Sequence, residues 1–137
     1  MVLYGTVDDR RRPYVRVEAP GDHSVLFVVD TGFNGTLLVN RHIMYRLGLN
    51  NCTIDTDEKE IRQVELGDYG ITQVMPGIVN LIWFGEEQLI DILLTTRVPQ
   101  HPPGEDEPVG FIGTKLLADC HLTIDFVART LQIQKGE

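Results

Sequence analysis

Cysteine is scarce in this chain: Cys52 and Cys120 stand alone, with no CxxC pair and no dense framework. That excludes a zinc ribbon and a disulfide-stapled scaffold, and both are read as reduced thiols. Basic residues are also few, 12 Lys and Arg against 20 Asp and Glu, for a net charge of -8 and a pI near 4.9. A protein that neutralises phosphates needs the opposite balance, so no nucleic-acid partner is expected. The one basic cluster, Arg10-Arg11-Arg12, lies beside Asp8 and Asp9 and ahead of Pro13, and reads as a solvated turn. Long apolar runs are missing too. Ile78 to Phe84 is interrupted by Asn80 and falls short of the roughly twenty residues that a spanning helix requires. Met1 to Asp9 carries charge and glycine where an export signal is continuously apolar. The expectation is a soluble, cytoplasmic protein with no membrane partner. His23, His42, His101 and His121 form no HxH or HExxH pattern, so no metal or cofactor is expected.

What is present points to one mostly β domain spanning residues 1–137. A chain of 137 residues, 42% of them hydrophobic, can bury a core but is too short for two full catalytic lobes. Short runs rich in β-branched and aromatic residues, broken by Gly, Pro, Asn and Asp, predict mainly antiparallel strands. They fall at Val2–Val7, Tyr14–Ala19, Ser24–Val29, Thr36–Val39, Glu60–Leu66, Ile71–Met75, Gly77–Phe84, Gln88–Leu94, Leu122–Asp125 and Thr130–Gln134. Val15 and Val17 alternate with Arg16 and Glu18, as in a strand covered on one face, whereas Ser24–Val29 is continuously apolar, as in one covered on both. Gly85-Glu86-Glu87 reads as a turn, and Val98–Pro108, with four prolines, as an exposed loop. Short helices are predicted over Asn40–Leu47, with Asn40 as N-cap and Gly48 as terminator, and over Ile112–Ala118. Trp83 and Phe84 read as packing residues.

Two segments carry the chemistry. Val28-Val29-Asp30-Thr31-Gly32 delivers one carboxylate from the end of an apolar run into a turn. About eighty residues later comes Gly110-Phe111-Ile112-Gly113-Thr114-Lys115-Leu116-Leu117. With the glycine-bracketed Gly67-Asp68-Tyr69-Gly70 between them and Leu122 to Phe126 with Leu131 to Ile133 after them, the chain resembles the retropepsin-like aspartic proteases, the single-lobe class that includes the retroviral enzymes. The resemblance spans residues 14–134 in outline and is specific at the two short motifs. It implies a closed acid-protease barrel with one or two short helices, acting as a homodimer on a polypeptide substrate.

Asp30 then works only beside the Asp30 of a second copy. Two carboxylates about 3 Å apart at an effective dielectric near 20 repel by roughly 5 to 6 kcal/mol, so one proton is shared over a wide pH window. The ionised member activates a water and the protonated member polarises the scissile carbonyl. The resemblance further implies that Thr31 hydrogen-bonds across the two-fold axis, that Gly32 gives the backbone room, and that Gly113 packs under the Asp30 loop. Phe33, Asn34 and Ile112 would line the substrate cleft, and Asp68, Tyr69 and Gly70 would close over an extended peptide. Phe33 stands where retroviral members commonly have Ala or Ser, which implies reshaped or occluded pockets. Asn34 and Thr114 stand where an Asp and an Arg often pair, which implies a neutral contact instead.

Other readings start from the same residues. Asp-Thr-Gly alone is an ordinary strand-ending turn. Val28-Val29-Asp30 ahead of Gly35-Thr36-Leu37 is similar to a phosphatase segment, but Gly32 occupies the place of the second acid, and the alternation of helix and strand is missing. A non-enzymatic dimer that binds peptides or mediates assembly uses the same fold without the chemistry. Asp125 lacks a following Thr-Gly or Ser-Gly and reads as a residue that caps or solvates a strand edge, not as an in-chain partner acid.

Overall fold

The computed structural model describes residues 1–19, 23–39, 62–65, 71–95, 104 and 106–136. These residues form ten strands: β1 (Val2–Val7), β2 (Pro13–Ala19), β3 (His23–Val29), β4 (Leu37–Val39), β5 (Arg62–Glu65), β6 (Ile71–Trp83), β7 (Glu86–Thr95), β8 (Pro108–Ile112), β9 (Cys120–Asp125) and β10 (Thr130–Lys135). They make one mixed sheet in the order β5-β6-β7-β4-β8-β3-β2-β1-β10-β9. Only β3 with β8 and β4 with β7 run parallel; the other neighbours are antiparallel, as the short alternating runs predict.

The closed barrel is corrected by this order. Among the described residues the sheet is open, with β5 and β9 as its edges. It curls so that β2 comes to lie against β6, with no hydrogen-bonded pairing between the two among the described residues.

Alternation decides which side of each strand faces the core. In β2, Val15, Val17 and Ala19 are buried while Arg16 and Glu18 are exposed; in β10, Leu131 and Ile133 are buried between exposed Thr130, Gln132 and Gln134. These side chains meet Phe27, Val29, Leu37, Val39 and Ile112 in the main cluster. Each fully buried aliphatic side chain contributes about 1.5–3 kcal/mol relative to exposure. Leu38, Leu93 and Phe33 form a second cluster, with Phe111 packed against it. Leu37 and Val39 therefore serve one cluster and Leu38 the other, so β4 is covered on both faces. In β3, likewise, Val28 is buried along with its neighbours Phe27 and Val29. This doubly covered centre, β3-β8-β4, carries the Asp30 loop.

Three expectations shift. Ile71–Met75 and Gly77–Phe84 are one thirteen-residue strand, β6. Pro76, which looked like a break, lies inside the strand and pairs with Asp91 of β7, beyond the last described residue paired to β5. The β6–β7 turn lies at Phe84-Gly85, closed by the pair Trp83 and Glu86, and both central residues have positive φ, 53° and 83°. A left-handed Phe is costly. Its ring is buried and meets Trp83 edge to face at 4.8 Å, which holds the turn in place. Finally, Ile112–Ala118 is not helical: Leu116 N–H bonds Gly113 O, Leu117 N–H bonds Thr114 O, and Cys120 N–H bonds Leu117 O, all three-residue turns ending where β9 begins. The described residues contain no helix, and none long and apolar enough to cross a membrane. The helix expected over Asn40–Leu47 lies outside the described residues.

The β1–β2 turn accounts for the basic cluster. Asp8 accepts the backbone N–H of Arg10 (2.9 Å) and Arg12 (2.8 Å), the Arg12 Nε (3.1 Å) and the Tyr14 hydroxyl (2.9 Å). Reduced solvation pushes the Asp8 carboxyl up, but the backbone and side-chain donors of Arg12, the Tyr14 hydroxyl and the Arg12 charge outweigh it and hold the group at about 2. Its folded value lies below the ordinary 3.8, so its contribution is complete above about pH 4 and is lost as the pH falls toward 2. Denaturation midpoints of wild type and Asp8→Ala are therefore expected to differ at pH 5 and to draw together near pH 2. Equal midpoints at pH 5 would show that the turn does not depend on this carboxylate.

Candidate active site

β3 and β8 pair Val29 with Ile112, and the ladder extends one step further: Asp30 N–H donates to Ile112 O at 2.9 Å. The chain then turns, with Phe33 N–H on Asp30 O at 3.2 Å and Gly32 N–H on Asp30 Oδ1 at 2.9 Å. The second bond is an Asx turn, in which the carboxylate itself organises the loop. Asp30 is half-buried, Thr31, Gly32 and Asn34 are exposed, and Phe33 is buried at 5% exposure. One residue of the loop thus points inward and anchors it, while the Asp-Thr-Gly tip faces out.

The segment after β8 clamps the loop from beneath. Gly113 N–H donates to Thr36 O (2.9 Å), Thr114 N–H to Phe33 O (2.8 Å) and Lys115 N–H to Gly35 O (3.1 Å). The Thr114 hydroxyl also donates to Phe33 O at 3.3 Å, a second bond from the same residue to the loop backbone. Gly113 has no room for a side chain: a Cβ there would overlap Gly35 O and lie 2.7 Å from both Phe33 O and the Phe33 ring. Gly110, two pairs back along the ladder from Ile112, is as tightly held, against Leu38 O and the Val39 side chain. Gly32 is less confined, with only Asp30 Oδ1 at 3.3 Å, so its lack of a side chain keeps clear the space beside the carboxylate.

The remaining candidates are placed as follows. Phe33, expected to line a substrate cleft, instead packs under the loop among Leu38, Leu93 and Phe111, and offers no outer surface. Ile112, also expected in the cleft, is fully buried in the main cluster and contributes its carbonyl to Asp30 N–H. Asp68, Tyr69 and Gly70 lie outside the described residues. Asp125 closes the β9–β10 turn, its Oδ1 accepting Val127 N–H (3.0 Å) and Ala128 N–H (2.9 Å), the capping role expected of it. The Cys120 thiol is free and half-buried, and burial followed by the neighbouring Asp119 carboxylate pushes it up to about 11, which keeps it protonated at neutral pH. Trp83 and Phe84 sit in the core.

Sequence reasoning did not find the clamp as a whole, because Thr36 O, Gly35 O, Phe33 O and Ile112 O act through the backbone and leave no side-chain signature. Gly113 was its one visible trace. No family model, curated protein or solved structure matches this chain. The site therefore rests on its own geometry: one carboxylate bonded to the backbone of its own loop, beside an exposed Thr-Gly tip.

Proposed function

We propose that the chain is an aspartic endopeptidase that works in the cytoplasm as a homodimer, without metal or cofactor. Asp30 of each subunit forms one dyad, which activates water against the peptide bond of an extended polypeptide. The observation that carries this reading is the Asp30 loop, whose carboxylate bonds Gly32 N–H and whose underside is clamped by Ile112, Gly113, Thr114 and Lys115. Two acids that share a proton must be held to a fraction of an ångström, and a loop tied down by backbone bonds on a doubly covered sheet centre provides such rigidity. Thr31 and Gly32 at the exposed tip are the residues that would meet their symmetry mates. The burial of Phe33 supports the catalytic over the silent reading, since the ring that would block the site lies beneath it.

The reading is tested by cleavage of an unstructured protein at acidic pH over a dilution series. Pepstatin-sensitive activity is expected, with specific activity falling on dilution as dimers separate. Constant specific activity would mean a self-sufficient monomer and would reject the shared site.

A further inference from the structure

Gly35 lacks room for a side chain because of one neighbour. A Cβ there would lie 2.5 and 2.6 Å from Cζ and Cε1 of the Phe33 ring, with Cε2 next at 3.4 Å. A Cβ at Gly113 would also lie 2.7 Å from Cδ2 of the same ring. The ring thus occupies the space that both glycines leave, and Leu38, Leu93 and Phe111 pack around it. Its backbone is held as well: Phe33 N–H bonds Asp30 O at 3.2 Å, and Phe33 O accepts Thr114 N–H at 2.8 Å and the Thr114 hydroxyl at 3.3 Å. Of residues 30–35, Phe33 alone is buried. A closely packed interior transmits a displacement instead of absorbing it.

We propose that Phe33 is a positioning residue for the reaction at Asp30: its ring, wedged against Gly35 and Gly113, fixes how far the Asp30 loop stands off the sheet and so how far apart the two carboxylates lie. The role rests on the two-acid reading above and adds the side chain that sets its spacing. Because the ring is buried, its effect falls on the chemical step and not on substrate binding. Repulsion between the acids varies as the inverse of their separation. At an effective dielectric near 20, widening from about 3 to about 4 Å narrows the pH range of the shared proton by roughly one unit. The width of a bell-shaped pH–rate profile reports that range. Loss of folded protein lowers the height of the profile and leaves its width unchanged, so width separates positioning from stability.

The test is kcat, KM and the pH–rate profile on labelled, unfolded casein for wild type, Phe33→Leu, Gly35→Ala and the double variant. Rates are taken below the lowest melting temperature of the four, at a protein concentration where specific activity no longer rises. Leucine lacks the far ring atoms, the ones nearest Gly35, and in the double variant the alanine methyl enters that place. Each single variant is expected to lose at least about tenfold in kcat, with KM within about twofold of wild type. Each is also expected to change the profile width by about half a unit or more, Phe33→Leu toward a narrower profile as the loop settles into the vacated space. The double variant is expected to recover at least about half of both losses. The charged groups on the elements around the ring, Lys115 after β8, His23 at the far end of β3, and Glu86, Glu87 and Asp91 of β7, are common to all four proteins, so a change in width reports the paired acids. A raised KM at unchanged width would place the ring against substrate and overturn the proposal. So would single variants with wild-type profiles, or a double variant that only combines the two losses. A wild type without pepstatin-sensitive hydrolysis would reject the two-acid reading, and the positioning role with it, so the two failures are told apart.

Discussion

Asp30→Asn is expected to reduce peptide hydrolysis at least about 1,000-fold while leaving fold and association intact. The asparagine keeps the shape of the side chain and an oxygen able to accept Gly32 N–H, so the loop bond at 2.9 Å survives in kind. What is lost is the group that can be either ionised or protonated. A dyad of two amides can neither take a proton from water nor give one to the carbonyl, and both steps are removed together. Thermal denaturation of the variant should match wild type within a few degrees. Activity retained within about tenfold of wild type would remove Asp30 from the chemistry.

Gly113→Ala is expected to destabilise the protein by about 3 kcal/mol, lowering the melting temperature by roughly 10 °C. The cost comes from space and not from backbone conformation, since among the described glycines only Gly85 has positive φ. The added methyl would overlap Gly35 O and crowd Phe33 O and the Phe33 ring. Two of those are backbone atoms, and both carbonyls already accept bonds from the clamp, through Lys115 N–H and Thr114 N–H. Relieving the overlap therefore shifts the Asp30 loop, and activity should fall with stability. Gly32→Ala is the contrast: its methyl would meet only Asp30 Oδ1 at 3.3 Å, so the fold should tolerate it far better than the site does. Equal melting temperatures for Gly113→Ala and wild type would contradict the clamp.

How much of this was legible depended on whether a residue's role shows in its own side chain. β2, β3 and β10 were readable because alternation at Val15 and Val17, continuity at Val25 to Val29, and alternation at Leu131 and Ile133 report directly which faces are covered. β8 was not, because Pro108 and Gly110 look like loop residues, and the segment is a strand only because β3 and β4 flank it. Pro76 misled in the same way. The Phe84-Gly85 turn was misplaced by one residue because a left-handed phenylalanine is rare and is held here by burial against Trp83, a tertiary effect. At the site, Asp30, Thr31, Gly32 and Gly113 were legible as a motif. The inward turn of Phe33 was not, since a ring beside an Asp-Thr-Gly turn can face either way until Leu38, Leu93 and Phe111 are assembled around it.

The central claim is that one site is built from two copies of Asp30, and subunit mixing tests it most directly. Wild type and Asp30→Asn are combined at a fixed total concentration, high enough to keep dimers associated, and hydrolysis is measured against the wild-type fraction. With one acid from each subunit required, activity follows the square of that fraction, and an equal mixture retains about a quarter of the full rate. A straight line, with half the rate at an equal mixture, would mean that each subunit carries a complete site of its own.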